Sequence, residues 1–452
     1  MTAGPPPGPF PALRSRDFRM LWIGQSISVA GTQMQQAAIL WHLHSLTGSA
    51  AALGMLGLYR LAAIAVCSFA GGTLADTRDR RSILLVTQTL MLAMAVTLAL
   101  LTSSDRATPA AIYVLVAAGA ALASFANPAR QALVPNLVPR EHFTNAVSLT
   151  SIAHQVAGIV GPTLAGMLIG YGNLAWAYWA VIGALIAIPP YPVVPTAAAG
   201  DDRSIRTAFE GFRFVFRTPI LAWTMVLDFA ATFFSSASAL LPIFAADILQ
   251  TDARGYGLLW AAESVGAVGA GAVMAVLPTS RRQGRTILLA VLCYGMATVV
   301  FGLSRSFWLT WLALCAVGAS DTVSMILRHT IRQLITPDHV RGRMTATNMI
   351  FVQGGPQLGN AEAGFVAELT SAPFSVVSGG IGCILAVGVV AIKAPDLLKY
   401  SADFGEVTPG QSTAEGLACA HRETSPCTSQ TRAAPSLDMG PSPADRGGSL
   451  HQ

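Results

Sequence analysis

Twelve apolar runs divide this chain, at 18–44, 49–76, 82–104, 109–130, 143–170, 173–193, 218–247, 255–278, 285–304, 307–329, 344–370 and 373–394. About 20 consecutive apolar residues cross the hydrocarbon of a bilayer, and inside it every backbone N–H and C=O must be satisfied internally. Runs of this length therefore predict helices. The fold class expected is all-α and integral to the membrane, with twelve transmembrane helices. Composition agrees, since 53% of the 452 residues are apolar and only 11% are charged, against about a quarter charged in a soluble domain. That balance argues against a soluble multidomain enzyme. A mean hydropathy of +0.54 rules out disorder for the main body.

The two ends differ from the rest. Residues 1–17 are Pro-rich and polar, lack the short apolar core of a secretory signal, and read as a disordered arm. Residues 395–452 turn to Ser, Pro, Thr and Gly and read as a disordered tail. The formal charge of +5 comes from bases scattered among apolar runs, so it predicts topology and not nucleic-acid binding. One set of loops holds Arg14, Arg16, Arg78, Arg80, Arg81, Arg140, Arg203, Arg206, Arg281 and Arg341, among others, while the alternate set holds only Arg106, Arg254 and Arg305. The positive-inside rule then places both termini in the cytoplasm. Arginine far outnumbers lysine, as in a GC-rich bacterial genome, so the chain is expected in the inner membrane of a bacterium, and as a monomer.

The hydrophilic stretch from Pro189 to Thr218 parts the runs six and six, predicting bundles at 18–193 and 218–394 joined by a linker at 194–217. Arg130-Gln131 with Pro135 after run four matches Arg332-Gln333 with Pro337 after run ten. Equal position in both halves points to two six-helix pseudo-repeats.

Ionisable side chains inside a membrane are costly and face protein or a wet cavity. Arg60, His154, Asp228, Glu263, Asp321 and Glu362 lie well inside runs two, five, seven, eight, ten and eleven, and runs three, six, nine and twelve carry no charge in their apolar interiors. Every third helix is thus free to face lipid. At 1.5 Å per residue Arg60 and Asp228 lie about 15 Å deep, near mid-membrane. Gln25, Ser28, Thr32 and Gln36 form one polar face of run one, expected to line the same cavity. Hydrogen bonding between helices would explain such residues equally well, most of all for His154. Asp321 and Arg328 share a face seven residues apart, a separation of about 10 Å that argues against an ion pair within the helix. Arg328 and Arg332 are expected to reach for the interface. Aromatic residues such as Phe233 would suit an amphipathic ligand, though packing explains them as well.

Between runs two and three the chain reads GGTLADTRDRR, from Gly71 to Arg81. At that position it resembles the signature loop of the major facilitator superfamily, with Thr77 and Asp79 departing from the family pattern. The resemblance implies a conformational latch formed by Gly72, Asp76, Arg80 and Arg81, with Arg78 standing in for a displaced base. Run five holds Ala157, Gly158, Gly161-Pro162, Ala165 and Gly166. Small residues at this spacing allow close helix packing and the proline allows a bend. The pattern is similar to the fifth-helix motif of antiporters in that superfamily. Run eleven has a counterpart in Gly354-Gly355-Pro356, Gly359 and Gly364. The stretches NPARQALVPNLVPREHFTNAVSL, RQLITPDHVRGRM and QLGNAEAG look like the branch that contains enterobactin exporters and macrolide efflux proteins.

A phosphate-binding loop needs a lysine after its glycines, and Lys393 and Lys399 both lie beyond the last run. No cysteine pair or Cys/His spacing suggests a metal, and no cofactor is expected. The remaining energy source is an ion gradient. The function expected is proton-coupled efflux of a small hydrophobic or amphipathic molecule, such as a drug or siderophore, by alternating access. Candidate proton carriers are Asp228 first, then Glu362 and Asp321, with Glu263; cavity candidates are Arg60, Gln25, Thr32, Gln36, His154 and Phe233. An importer or lipid flippase of the same fold, or a polytopic membrane enzyme, are the alternatives.

Overall fold

A computed structural model describes residues 11–77, 80–131, 137–187, 213, 215–235, 238–276 and 282–399. Its long helices are α1 (Arg16–Thr47), α2 (Ala50–Thr77), α3 (Arg80–Ser103), α4 (Pro109–Gln131), α5 (Phe143–Tyr171) and α6 (Leu174–Ile186). A second set follows, α7 (Pro219–Ser235), α8 (Ala253–Val276), α9 (Gln283–Leu303), α10 (Phe307–Ile335), α11 (Asp338–Leu369) and α12 (Ala372–Lys393). Among the described residues, nine helical segments are long and apolar enough to cross a membrane. At 32 residues each, α1 and α11 are longer but more polar.

The packing repeats with a period of six helices. α1 packs on α5 and α6, and α7 on α11 and α12; α2 and α3 pack on α4, and α8 and α9 on α10; α3 packs on α6, and α9 on α12. Two further pairings, α2 with α11 and α5 with α8, join one set to the other. The end of the bundle where α1 begins is the near end; the other is the far end.

At the far end one apolar core includes residues of both sets, among them Leu43, Tyr178, Phe244, Tyr256 and Phe301. Toward the near end the cores are separate. Leu21, Ile83, Leu84 and Ala126 form one and Ala12, Phe18, Val138, Ala146 and Leu149 another, all from the first set. Leu227, Ile287, Leu288, Leu327, Ile331 and Cys383 form a third, all from the second set.

Glycine makes the far-end crossings possible. A Cβ built on Gly364 would sit 2.6 Å from the Gly54 Cα, and one on Gly166 would sit 2.9 Å from the Gly257 Cα. Both distances are below van der Waals contact, so the α2/α11 and α5/α8 backbones touch there. Each crossing is finished by a polar contact. Glu368 on the last turn of α11 accepts hydrogen bonds from Ser49 Oγ at 2.9 Å and from the Ala51 N–H at 3.0 Å, capping α2 from another helix. α8 is capped by its own Asp252, which accepts from the Arg254 and Gly255 N–H groups, and the Arg254 guanidinium lies 4.8 Å from the Tyr171 ring centre on α5.

Three expectations need correction. Residues 11–17 are not a disordered arm: Pro11–Arg14 form a 3-10 turn, Ser15 caps α1, and Ala12 is buried with its N–H on Asn145 Oδ1. Pro395–Lys399 likewise form a short helix with Leu397 buried. The seventh run is not α-helical throughout: α7 covers Pro219–Ser235, while Ser238–Leu240 form a 3-10 turn and Phe244–Ile248 a π-helical turn within the same apolar span. Pro242 removes one backbone donor there.

Candidate functional site

The site grows out of a second glycine contact. A side chain at Gly318 of α10 would strike the Glu263 backbone of α8, and one at Gly266 of α8 would strike that of Cys315. The two helices therefore touch, and Glu263 and Asp321 both line one cavity of about 430 Å³. Its walls come from α5 (Ser151, His154, Gln155), α8 (Glu263, Ser264), α9 (Tyr294) and α10 (Asp321, Thr322, Met325). The volume falls in the range of small-molecule pockets. It lies between the two sets of helices, below the level where Gly158 of α5 meets Ser264 of α8.

Beneath the cavity sits an ion-pair network. Arg328 Nη2 lies 2.7 Å from Asp228 Oδ1 and 3.7 Å from Asp321 Oδ1, so α10 is tied to α7 and to itself. Asp228 and Arg328 are 9% and 8% exposed, whereas the Asp321 side chain is 47% exposed. Such a pair survives in a low-dielectric site because each member has a close counter-charge. Asp228 is held by its partner while Asp321 also faces open space.

This overturns two sequence expectations. Arg328 does not reach for the interface, and it does pair with Asp321 seven residues earlier. Helical side chains lean toward the helix N-terminus, and the long arginine stem covers the axial gap that Cα spacing alone leaves open. The base that Asp228 needs comes from α10 and not from Arg60. An unpaired acid at mid-depth on α7 calls for a basic partner on a neighbouring helix, and Arg328 is the signal that was available. Tyr294 was also missed: beyond Arg285 in its first turn α9 carries no charge, so counting charges marks it for lipid, yet Tyr294 lines the cavity.

The other candidates lie elsewhere. Of the cavity candidates only His154 is in this lining, and of the acids only Glu263 and Asp321. Ser28 of α1 is buried, Gln25 and Gln36 are half-buried, and Thr32 is exposed with its hydroxyl donating to Ser28 O at 2.9 Å. Arg60 is half-buried, one turn past the Gly57 that meets the Gln357 carbonyl of α11. Phe233 packs on Phe229 and Phe234 at 5.8 Å and 5.1 Å between ring centres, and Glu362 is half-buried on α11. In the fifth-helix motif, Gly161 abuts Ala30 and Gln33 of α1, while Gly158 and Gly166 abut α8, so Ala157, Pro162 and Ala165 sit between two seams. Of the expected latch, Gly72 and Asp76 fall in the last turns of α2, Arg80 and Arg81 begin α3, and Arg78 lies outside the described residues.

Outside the membrane-spanning helices, Asp252 titrates below the usual aspartate range. Its partial burial pushes the carboxyl up, but hydrogen bonds from the Arg254 guanidinium and the Gly255 N–H, with the Arg254 charge, more than offset this.

Comparison with known proteins gives the following. Residues 7–407 match the family model of transmembrane secretion effectors. An enterobactin exporter, EntS, of Escherichia coli O6:K15:H31 is 26% identical over 407 residues, covering 88% of this chain and 95% of that protein. Among solved structures, a POT family transporter in complex with 5-aminolevulinic acid superimposes with a TM-score of 0.67 at 11% identity, over 87% of this chain and 99% of that one. A bacterial homolog of the human lysosomal transporter Spinster, inward-facing and occupied, gives 0.64 at 13% identity, over 87% and 99%.

Proposed function

We propose, from the premise that this chain belongs to the transmembrane secretion effector family and is a multi-pass membrane transporter of the major facilitator type, that it exports a small amphipathic molecule in exchange for protons by alternating access. The cargo class follows the exporter relatives and includes siderophores and drugs. The basic near end faces the cytoplasm, both termini are cytoplasmic, and the working unit is one chain in a bacterial inner membrane. The bundles at 18–193 and 218–394 rock about the central cavity, with 194–217 as the linker.

One observation carries this reading. The two sets of helices share a single apolar core at the far end and have separate cores toward the near end. That is the asymmetry of a carrier caught closed on one side. Coupling falls to the acids around the cavity. Asp228, released from Arg328 by protonation, would free Arg328 to engage Asp321, and Glu263 and Glu362 are the further carriers. A ligand that binds one conformation better than the other shifts the equilibrium by that difference alone, so proton and cargo must each favour a different state.

The test is export from proteoliposomes under an imposed proton gradient. Asp228→Asn is expected to abolish gradient-driven transport while the protein still folds, and gradient-free counterflow is expected to persist. Wild-type gradient-driven export by Asp228→Asn would remove Asp228 from the coupling path.

A further inference from the structure

The exporter reading leaves the charge of the cargo open, and the cavity walls carry information about it. Two carboxylates, Glu263 and Asp321, line it from facing helices, with the Tyr294 ring and the Met325 thioether beside them. His154 is the one cavity-lining residue able to take a positive charge, and it lies on α5, across from both acids. Arg328 does not balance them, because its guanidinium lies 2.7 Å from Asp228, and Asp321 receives only the longer 3.7 Å approach. Arg332 is one turn farther from the cavity on α10, and His329 is exposed. The wall offers two acidic side chains and one imidazole to whatever enters.

A second observation points the same way. Glu263 also borders a separate void of about 10 Å³, lined with Ser235, Ser238 and Thr298. Ser235 is 5% exposed and its hydroxyl lies beside the Cys383 thiol. That void is of one-water size, and a water there would have a hydroxyl and a carboxylate to bind. A water held there would solvate the Glu263 carboxylate from behind while its other side faces the cavity.

Resting on the exporter reading for its transport role, we infer that the cavity binds amphipathic organic cations, with the positive group between Glu263 and Asp321 and the apolar part against Tyr294 and Met325. An ammonium or phosphonium centre near an aromatic face and two carboxylates gains both charge and cation–π attraction in a site screened from water. Protons and cargo then compete for the same two acids, so proton uptake expels the cation. No lining residue other than His154 could offer an anion comparable compensation.

The test is equilibrium binding to the full-length protein in lipid nanodiscs without any gradient. The probes are tetraphenylphosphonium and its isosteric anion tetraphenylborate. The expected result is saturable binding of the cation at least about tenfold tighter than that of the anion after subtracting empty nanodiscs, since one desolvated charge contact supplies at least that ratio. Glu263→Gln and Asp321→Asn are each expected to weaken it by a further factor of about ten, and binding should weaken as pH falls. Equal affinity for both ions, tighter anion binding, or no saturable binding by the wild type would overturn the inference whether or not the variants fold. Cation binding without gradient-driven export from proteoliposomes would sink the exporter reading and leave the site standing. Export of an anion with no cation bound would do the reverse.

Discussion

α5 and α8 meet twice, and the two meetings differ in kind. At the far end Gly166 and Gly257 bring the backbones into contact inside a core shared by both sets of helices; at mid-depth the same helices part around a cavity lined with carboxylates. In lipid there is no hydrophobic drive between helices, so close packing of small residues holds the first meeting together. At the second, Gly158 meets only the Ser264 side chain, at the edge of a cavity whose α8 and α10 walls carry like charges. In the proposed cycle the molecule would give way at the cavity while the far end stays shut. A carrier needs that difference to reverse during its cycle.

The comparison can be broken most forcefully at Arg328. Arg328→Met leaves Asp228 buried without its partner, a loss of about 3–5 kcal/mol of stability for a buried pair. Thermal unfolding in nanodiscs checks the loss, and Asp228→Asn in the same chain should restore much of it. If the single substitution leaves the unfolding temperature unchanged, the network does not stabilise the bundle. Next in size is the far-end seam. Gly166→Leu places a branched side chain against Gly257, so the seam cannot close fully. Export is expected to fall more than about tenfold with little loss of folded protein, and thiol reagents should reach a cysteine introduced at Ala262, which is buried in the shared core. An unreactive cysteine there would mean that the crossing tolerates the wedge.

The smallest effects compare the two caps. Glu368→Ala and Asp252→Ala each remove a carboxylate cap, at about 1 kcal/mol apiece. They should be told apart by where hydrogen exchange rises: at α2 for the cap supplied by α11, and at the start of α8 for the local one. Because the folded-state carboxyl of Asp252 titrates low, its share of stability is present above the ordinary aspartate range and is lost as pH falls through the depressed value. A midpoint for Asp252 at or above the ordinary range, read by carboxyl NMR, would contradict that cap.

Much of this arrangement was legible in the residues. Helices such as α2 and α5 begin and end within about two residues of their apolar runs, and Gly158, Gly161 and Gly166 pointed to close packing before any contact was known. What remained hidden depends on pairings across long stretches of chain. Ser49 and Glu368 are 319 residues apart, and no local pattern links them. Arg328 looked peripheral because depth was counted at Cα, while its guanidinium acts a turn or more away. Tyr294 escaped because a neutral phenol leaves no trace in a tally of charges. The 3-10 and π-helical turns at Ser238–Leu240 and Phe244–Ile248 were hidden because hydropathy does not distinguish one helix type from another.

The most direct measurement of the central claim is a pair of spin-label distances. In a chain freed of its native cysteines, one pair at Ser104 and Arg305 reports the far end and another at Glu141 and Gln333 reports the near end, all at exposed positions. Lowering pH should lengthen the first distance while shortening the second, and adding a transported compound at high pH should oppose both changes. Distances that stay fixed through transport, or that change together in the same direction, would contradict a carrier rocking about its central cavity.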